Sequence, residues 1–338
     1  MRFDLTRRTL VAGAVGAALV VGAGLPTAAD AETRTLRLSH HLAPGHLVDV
    51  ASKRFAELVA EKTNGAITVE VFPSGQIAGL RQGAEAVQVG TVDVVWSDFG
   101  TLANWRPEYG FVSLPFLFRD NAHFDAVFGG EVGKELAKSV ADNLGVEVLG
   151  YGNAGFRVIA TRDRAVKVPE DMKGVRIRVP EVPIFIAAFR SVGANPTPMA
   201  WGEVYTALQT GVIDAVENPA EGLAVGNMQD VTKHLSRTYH IMTDVNLFTN
   251  AALMAGLPAE QQEAIRSAAA TAVAEFNTAT AAASEKYWAQ LAAKLETVEN
   301  PDRAAFQKAM APVWDEFDAA TDGAGKAWID KVVAATPK

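Results

Sequence analysis

Two periodicities of apolar residues divide the first part of the chain into alternating strands and helices. Apolar and polar residues alternate along Thr35–His40, which predicts a strand. The same alternation, with many β-branched residues, predicts a second strand at Ile67–Phe72. Between them, apolar residues in Val50–Val59 recur at helical spacing, and Asn64–Gly65 supplies a signal that ends this helix. A second helix running to Val89 and an apolar strand after it complete a strand–helix–strand–helix–strand order. This order predicts a parallel sheet covered by helices.

The second half of the chain carries the same signals and one unusually long helical pattern. Further strands are predicted at Val146–Tyr151, Arg157–Thr161 and Val175–Pro180. Gly193–Pro198 (GANPTP) is predicted to be a loop, because glycine and proline interrupt regular structure. The alanine-rich stretch Pro258–Leu295 lacks a heptad of large apolar residues, so it indicates a long strut across two lobes rather than a coiled coil. Pro312–Val333 predicts one more amphipathic helical segment.

One helix–glycine–strand unit occurs twice. Ala86–Asp98 (AVQVGTVDVVWSD) and Ala207–Pro219 (ALQTGVIDAVENP) share Ala, Gln, Gly, Asp and Val at matching positions. Gly90 and Gly211 are expected to end the two helices, since glycine adopts the left-handed cap conformation at low cost. Chance recurrence of a unit common in α/β proteins is the alternative. The matches favour two lobes that are built alike.

The two copies of this unit differ where their strands end. The first copy ends in Trp96–Asp98 and the second in Glu217–Pro219. Open α/β sheets bind ligands beyond the carboxyl ends of their strands. We therefore expect a cleft between two lobes, with Asp98 on one side and Asn218 on the other.

The first 31 residues predict export from the cytoplasm. Positive charges at Arg2, Arg7 and Arg8 precede a weakly hydrophobic stretch, Leu10–Leu25, and Ala29–Ala31 fits a small-residue cleavage site. The arginine pair resembles a twin-arginine signal. A membrane anchor is the alternative, but the stretch is shorter than the roughly 20 apolar residues that a span needs. We therefore expect a cleavable signal and a soluble periplasmic protein.

Composition narrows the classes of partner. The chain has 338 residues, enough for two domains, and no cysteine, which excludes disulfides and thiol catalysis. Its formal net charge is −8, and cleavage after residue 31 removes three arginines and two aspartates, which makes the charge −9. An acidic chain without a basic block is a poor nucleic-acid binder. No nucleic-acid partner is expected.

Catalytic motifs are absent from the sequence. It contains no G-x-S-x-G nucleophile elbow and no G-x-x-x-x-G-K-[ST] phosphate loop. His40, His41 and His46 lie close together, but no second group with zinc-like spacing follows nearby, so we expect a histidine to contact a ligand or cap a helix. No metal or cofactor is predicted. Asp98 and Glu217 could face each other as the carboxylates of an exported carbohydrate hydrolase, which is the alternative from another class.

Arginines on the predicted strands indicate an acidic ligand. In Val175–Pro180 the apolar residues alternate with Arg176 and Arg178, and Arg157 begins a neighbouring strand. If the strand is covered on both faces, an arginine near its end needs an anion, and a guanidinium holds a carboxylate through two parallel bonds. Two surface arginines on a half-exposed sheet are the alternative from alternation alone.

The segments around these arginines resemble the solute-binding proteins of tripartite ATP-independent periplasmic (TRAP) transporters, the DctP family. The resemblance is carried by Phe55–Ala78, Leu114–Asp120, Pro169–Pro180, Gly193–Pro219 and the long helix that follows. It implies an α/β, two-lobed periplasmic binding protein of type II-like fold, with a long helix spanning both lobes. It also implies a receptor, not an enzyme, that closes on an organic acid and delivers it to the small and large membrane subunits of a permease.

The same resemblance gives individual residues a role. Arg178 matches the family's signature arginine, which is expected to pair with the ligand carboxylate, and Arg157 matches a second arginine. Asn218 matches a family asparagine, Trp201 an aromatic residue that packs on the ligand, and Asp98 an acidic position. The weaker candidates are Gln76 and Glu203.

The acidic residues at the expected cleft bear on the identity of the ligand. Asp98 and Glu217 would repel a second carboxylate and accept hydrogen bonds from hydroxyls. This favours a sugar acid, such as a uronate or aldonate. A C4-dicarboxylate, keto or aromatic acid remains the alternative, since Arg157 could bind a second acid group and Trp201 offers an apolar face.

The resemblance also divides the chain into two discontinuous lobes. Lobe I is expected to comprise residues 32–153 with about 244–280, and lobe II residues 154–243 with about 281–338. The chain is expected to cross between them near Asn153–Gly155 and Tyr239–Asp244. Closure of such a cleft around a ligand is a hinge movement.

Overall fold

The computed structural model describes residues 33–336, so the predicted export signal lies outside the described residues. The strands are β1 (Arg34–Ser39), β2 (Ile67–Phe72), β3 (Val94–Ser97), β4 (Val146–Gly150), β5 (Asn153–Thr161), β6 (Arg176–Val179), β7 (Asn195–Pro198), β8 (Ala215–Pro219), β9 (His234–Ser236), β10 (Met242–Asp244), β11 (Asn246–Asn250) and β12 (Glu296–Val298).

The helices cover the faces of the sheets that these strands form. They are α1 (Leu47–Lys62), α2 (Leu80–Val89), α3 (Phe99–Leu102), α4 (Asn121–Phe128), α5 (Glu131–Leu144), α6 (Pro183–Ser191), α7 (Val204–Thr210), α8 (Ala220–Val225), α9 (Ala251–Ala255), α10 (Ala259–Ala292), α11 (Arg303–Met310), α12 (Pro312–Ala320) and α13 (Ala324–Ala334). Short 3₁₀ helices lie at Pro107–Ser113, Pro169–Met172, Trp201–Glu203 and Met228–Asp230.

The strands form two mixed sheets, one in each lobe. The first sheet has the order β2-β1-β3-β11-β4, and the second has the order β12-β9-β5-β8-β6-β7, with β10 beside β5. The predicted parallel pairing holds for β1 with β2 and β3. The sheet continues beyond these three strands with β11, which lies antiparallel between β3 and β4 after the chain has returned from the second lobe.

The repeated unit is confirmed as a repeated piece of structure. In the first copy α2 ends at Gly90 and leads into β3; in the second α7 ends at Gly211 and leads into β8. Both glycines take the left-handed conformation, with φ of 74° and 76°. In each copy the glycine turns the chain so that the strand runs back along the helix.

The aspartate that the two copies share makes the same contacts in each. The Asp93 carboxylate accepts a hydrogen bond from the Arg37 backbone N–H at 2.8 Å, and Asp214 accepts one from the Arg176 backbone N–H at 3.1 Å. The Nε atom of each arginine also donates to its aspartate, at 3.5 and 2.8 Å. Each aspartate therefore joins its strand to the parallel neighbour, β3 to β1 and β8 to β6.

The long helix is confirmed as a strut between the lobes. Near its start, α10 buries Ile265 and a set of alanines against α1 and the first sheet, and these small side chains allow a close approach. Near its end, Trp288 and Leu291 join the core around α7, α8 and β8. None of the helices in residues 33–336 combines the length and the apolar character that crossing a bilayer requires.

Two local predictions are corrected. The predicted loop at Gly193–Pro198 contains the strand β7, which pairs in parallel with β6 at the edge of the second sheet. Proline is tolerated there because an edge strand leaves one row of backbone groups unpaired. The single helical segment predicted at the C-terminus is two helices, α12 and α13, because Asp322 and Gly323 turn between them with φ of 50° and 80°.

The two predicted crossings lie side by side. β10 pairs antiparallel with the start of β5, so that Asp244 lies opposite Asn153, and Thr243 lies opposite Gly155. The chain thus passes from the first sheet to β5 and returns from β10 to β11 through adjacent, hydrogen-bonded strands. These strands form the floor between the two sheets.

Candidate functional site

A cleft lies between the two sheets, above the paired strands β5 and β10. It encloses about 690 Å³ of space free of protein atoms, part of which is open to solvent. Five of the predicted site residues line it: Asp98, Arg157, Arg178, Trp201 and Asn218. The carboxyl ends of β3 and β8 therefore meet here, as the repeated unit predicted.

Arg178 places a buried positive charge at the cleft. It lies on β6, is 4% exposed, and its Nε and Nη2 donate to the Met199 carbonyl oxygen at 2.9 and 2.7 Å. Its guanidinium carbon lies 5.4 Å from the centre of the Trp201 ring. Burial lowers the pKa of Arg178 to about 10, so the group stays charged at neutral pH. No carboxylate among the described residues lies within 4.0 Å of it, which leaves its charge available to an anion.

Arg157 is also buried at the cleft, but its donors are already engaged. Its Nη2 donates to Glu217 Oε1 at 2.7 Å and to the Glu217 carbonyl oxygen at 2.9 Å, and its Nε forms a second bond to the same carboxylate. Nη1 donates to Thr243 Oγ1 at 3.1 Å. The guanidinium carbon lies 4.8 Å from the Phe185 ring centre. Arg157 therefore has little capacity to bind a second ligand carboxylate.

The prediction of Glu217 as a ligand contact is corrected by its surroundings. Its side chain is fully buried behind Arg157, and His240 Nε2 lies 3.3 Å from its Oε2. Burial alone would raise the pKa of Glu217, but Arg157 and His240 together outweigh it and hold that pKa below its usual value. Glu217 lies outside the lining of the cleft and serves as the counter-ion of Arg157. It cannot act as the partner of Asp98 in hydrolysis.

Gln76 is likewise placed away from the cleft. The turn before it has positive φ at Ser74 and Gly75, and these two residues line the mouth of the cleft. Gln76 follows as an exposed residue and is absent from the lining. The turn therefore reaches the mouth of the cleft through Ser74 and Gly75 and not through the predicted Gln76.

Two carboxyl groups form an acidic wall of the cleft. Asp98 Oδ1 accepts a hydrogen bond from the Thr101 backbone N–H at 2.6 Å, and Asp244 Oδ2 accepts one from the Phe99 backbone N–H at 2.9 Å and one from Asn246 Nδ2 at 2.6 Å. Burial raises the pKa of both groups, and the charge of Asp98 helps to raise that of Asp244 to about 7. Sequence reasoning missed Asp244, because it reaches the cleft only through the pairing of β10 with β5.

Asn218 and Trp201 complete the lining opposite this wall. No residue within 33–336 holds the Asn218 side-chain amide by a hydrogen bond, so both its donor and its acceptor are free for a ligand. Trp201 is half-buried at the start of a 3₁₀ helix and presents an aromatic face beside Arg178. The cleft thus combines a cation, an amide, an aromatic ring and an acidic wall.

The histidines near the N-terminus of the described chain belong to the rim of the cleft. His41 and His46 line it, and His46 caps α1, since its Nδ1 accepts a hydrogen bond from the Val48 backbone N–H at 3.1 Å. Burial lowers the pKa of both to about 3, so they are neutral at pH 7. The expectation that a histidine here caps a helix is confirmed. The described residues contain no group of three or more histidine, aspartate or glutamate side chains arranged to hold a metal ion.

Comparison with known proteins identifies the family to which the chain belongs. The model of the family described as bacterial extracellular solute-binding protein, family 7 (DctP) matches residues 38–320. A solute-binding protein of Verminephrobacter eiseniae is 36% identical over 310 residues, which cover 91% of this chain and 91% of that protein.

Solved structures match over nearly the whole described chain. A TRAP periplasmic solute-binding protein of Sulfitobacter sp. NAS-14.1, with bound β-D-galacturonate, is 28% identical with a TM-score of 0.86, and the match covers 89% of this chain and 100% of that one. A TRAP periplasmic solute-binding protein of Sulfurospirillum deleyianum, with bound succinate, is 28% identical with a TM-score of 0.84, covering 90% and 99%.

Proposed function

Because the chain belongs to the family 7 bacterial extracellular solute-binding proteins, the solute receptors of TRAP transporters, we propose that it binds a sugar acid in the cleft and delivers it to a membrane permease. Its relatives are transport receptors rather than enzymes. The ligand we propose is a monocarboxylate with several hydroxyls, a uronate or an aldonate.

The buried charge of Arg178 carries this proposal. Burying a cation without an anionic partner costs free energy, and a carboxylate bound beside it offsets that cost. Two of its donor atoms are fixed on the Met199 carbonyl, which holds the guanidinium plane in one orientation. A carboxylate that enters the cleft meets a preorganised partner, and charge-assisted hydrogen bonds of this kind are among the stronger ones in proteins.

The acidic wall favours hydroxyls over a second carboxylate. One carboxyl oxygen of Asp98 and one of Asp244 each accept a hydrogen bond from a backbone N–H of α3. The other oxygen of each group can accept a hydrogen bond from a ligand hydroxyl. A second carboxylate would be repelled by these groups and would find Arg157 already occupied by Glu217. The ring of Trp201 and the free amide of Asn218 suit the apolar face and the hydroxyls of a sugar.

A dicarboxylate is the second candidate, since a receptor with bound succinate has the same fold. It would need the acidic wall to be protonated, and the raised pKa of Asp244 allows this at mildly acidic pH.

We propose further that the lobes divide at 153/154 and 243/244. We also propose that residues 1–31 direct export to the periplasm through a twin-arginine-type signal, and that the permease has a small and a large membrane subunit.

Isothermal titration calorimetry with residues 32–338 tests the proposal. The panel contains D-galacturonate, D-glucuronate, D-gluconate, L-galactonate and succinate at pH 7.5. We expect one of the sugar acids to bind, and Arg178→Ala to weaken it by about 100-fold or more, as for loss of a charge-assisted bond to a buried ion. Arg176→Ala is the matched control: it lies two residues away on β6, is paired with Asp214, and should leave affinity unchanged. Binding of succinate alone would refute the sugar acid, and equal effects of the two variants would refute the Arg178 clamp.

A further inference from the structure

A buried carboxyl group joins the two sides of the cleft away from its lining. Glu221, on α8, accepts a hydrogen bond from the Leu47 backbone N–H through Oε1 at 2.6 Å. The same oxygen lies 3.6 Å from His46 Nδ1. Glu221 is 5% exposed and is not among the residues that line the cleft. It therefore contacts the protein of the opposite side rather than the space for the ligand.

The two ends of this contact are attached to different sheets. Glu221 directly follows β8 of the second sheet, and Leu47 begins α1, which follows β1 of the first sheet. Both α1 and α8 pack on the long helix α10, so they approach each other over the same strut. A hinge movement that opens the cleft separates the first sheet from the second and breaks this hydrogen bond.

The charge state of Glu221 determines the free-energy cost of burying its carboxyl group in this contact. Its second oxygen, Oε2, is buried and has no hydrogen-bond partner among the described residues. The titratable groups that face it are His46, from the loop before α1, and Tyr287 of α10; neither carries a positive charge at neutral pH. Burial raises the pKa of Glu221 to about 7, in spite of the hydrogen bond from Leu47. A neutral acid avoids the cost of an unpaired buried charge.

We propose that Glu221, in its neutral form, is the latch that holds the cleft closed. It is a positioning residue, since it acts on the ligand only through the distance between the two sheets. In the open form the side chain reaches solvent and ionises at an ordinary pKa, near 4.5, so closure takes up a proton. Closure is then favoured at low pH, and the advantage disappears as the pH rises from about 4.5 to about 7. The proposal rests on the proposed function only where ligand affinity is the readout.

Interlobe distance and ligand affinity together test the latch. The chain has no cysteine, so cysteines introduced at the exposed positions Glu61 and Gln209, on α1 and α7, take a donor and an acceptor fluorophore at defined sites. The distance is measured without ligand and with D-galacturonate at pH 5 and pH 8, in the wild type, Glu221→Gln and Glu221→Ala. Asn104→Ala is the control: it removes another hydrogen bond across the cleft, to the Glu181 carbonyl at 3.2 Å, without removing a titratable group.

The three variants have different expected results. Glu221→Ala should reduce the closed fraction at pH 5 and weaken D-galacturonate binding about tenfold or more. Glu221→Gln should differ from the wild type by no more than about fivefold at pH 5 and bind at least about tenfold more tightly than it at pH 8, because glutamine does not ionise. Asn104→Ala should keep the pH dependence of the wild type. Urea unfolding of each variant verifies that the fold is intact.

Two results would overturn the latch. One is a closed fraction of Glu221→Ala equal to that of the wild type at pH 5, measured without ligand. The other is a ratio between Glu221→Gln and wild type, in closed fraction or affinity, that is the same at pH 5 and pH 8. Failure of every acid to bind the wild type would count against the proposed function, and the ligand-free distances would still decide about the latch.

Discussion

The two copies of the helix–glycine–strand unit share a scaffold and differ in what they present to the cleft. Each has a left-handed glycine after its helix and an aspartate that joins its strand to a parallel neighbour. The first copy ends at Asp98, whose carboxyl group forms part of the acidic wall. The second ends at Glu217 and Asn218. There the Glu217 side chain is fully buried and is paired with Arg157, so it does not line the cleft.

This difference divides the work of the cleft between the two lobes. The first lobe supplies oxygen acceptors through Asp98, and the second supplies a cation through Arg178 and an amide through Asn218. A ligand with a carboxylate at one end and hydroxyls at the other matches this polarity. The shared part of the unit builds the same scaffold in both lobes, and the polar residues at the strand ends, Asp98 in one copy and Asn218 in the other, give each lobe its own contribution to the cleft.

Breaking the Arg157–Glu217 ion pair at the end of the second copy should have the largest effect, on the free energy of unfolding. Glu217→Ala leaves Arg157 buried without its counter-ion, which we expect to lower the free energy of unfolding by about 3–5 kcal/mol. Urea denaturation at pH 7.5 measures this. The control is Arg176→Ala, which removes only the half-exposed ion pair with Asp214 and should cost no more than about 1 kcal/mol. Equal losses in the two variants would contradict the assignment of Glu217 as a structural counter-ion.

The acidic wall of the first copy should decide between hydroxyls and a second carboxylate. Asp244→Asn removes a repulsive group, so we expect weaker D-galacturonate binding and stronger succinate binding, by about tenfold each. In the wild type, succinate should bind better as the pH falls through about 7, since protonation of Asp244 has the same effect. Calorimetry from pH 5.5 to pH 8 measures both. Succinate binding that does not change with pH in the wild type would contradict this role.

The ligand-free protein gives a second view of the same group. Because burial raises the pKa of Asp244 above its unfolded value, its contribution to stability is full below about pH 4 and is lost as the pH rises to about 7. Asp244→Asn should therefore flatten the fall in the free energy of unfolding across this window. A difference between variant and wild type that is constant from pH 4.5 to pH 7.5 would show that Asp244 does not titrate there.

The smallest effects should come from the feature that the copies share. Gly90→Ala and Gly211→Ala each force a side chain into the left-handed conformation, at about 1 kcal/mol of stability. The added Cβ at Gly90 has room beside Asn250, and that at Gly211 meets only the flexible end of Arg162. The two losses in unfolding free energy should agree within about 0.5 kcal/mol. A much larger loss in one copy would show that the units are not equivalent in energy.

The sequence was a good guide where local signals agree with the tertiary environment. The glycine caps and the alanine-rich strut are local patterns, and each appears in the structure as predicted. Their physical causes, backbone conformation and burial periodicity, act within a few residues.

The features that sequence reasoning missed depend on pairing between distant strands. Glu217 is turned toward Arg157 because β5 and β8 are antiparallel, with Arg157 opposite Pro219, so the two long side chains meet diagonally. Asp244 reaches the cleft through the pairing of β10 with β5, and β11 enters the first sheet from the other lobe. None of these registers has a signal in the residues next to the side chain that it positions.

The central claim is that Arg178 recognises the carboxylate of a hydroxylated monoacid, and a double-mutant cycle between protein and ligand tests it most directly. The affinities of D-galacturonate and of D-galactose, which lacks the carboxylate, are measured by calorimetry for the wild type and for Arg178→Ala. We expect the wild type to prefer D-galacturonate by about 100-fold or more, and Arg178→Ala to lose most of that preference. A preference that survives unchanged in Arg178→Ala would contradict the claim, since the carboxylate would then bind elsewhere.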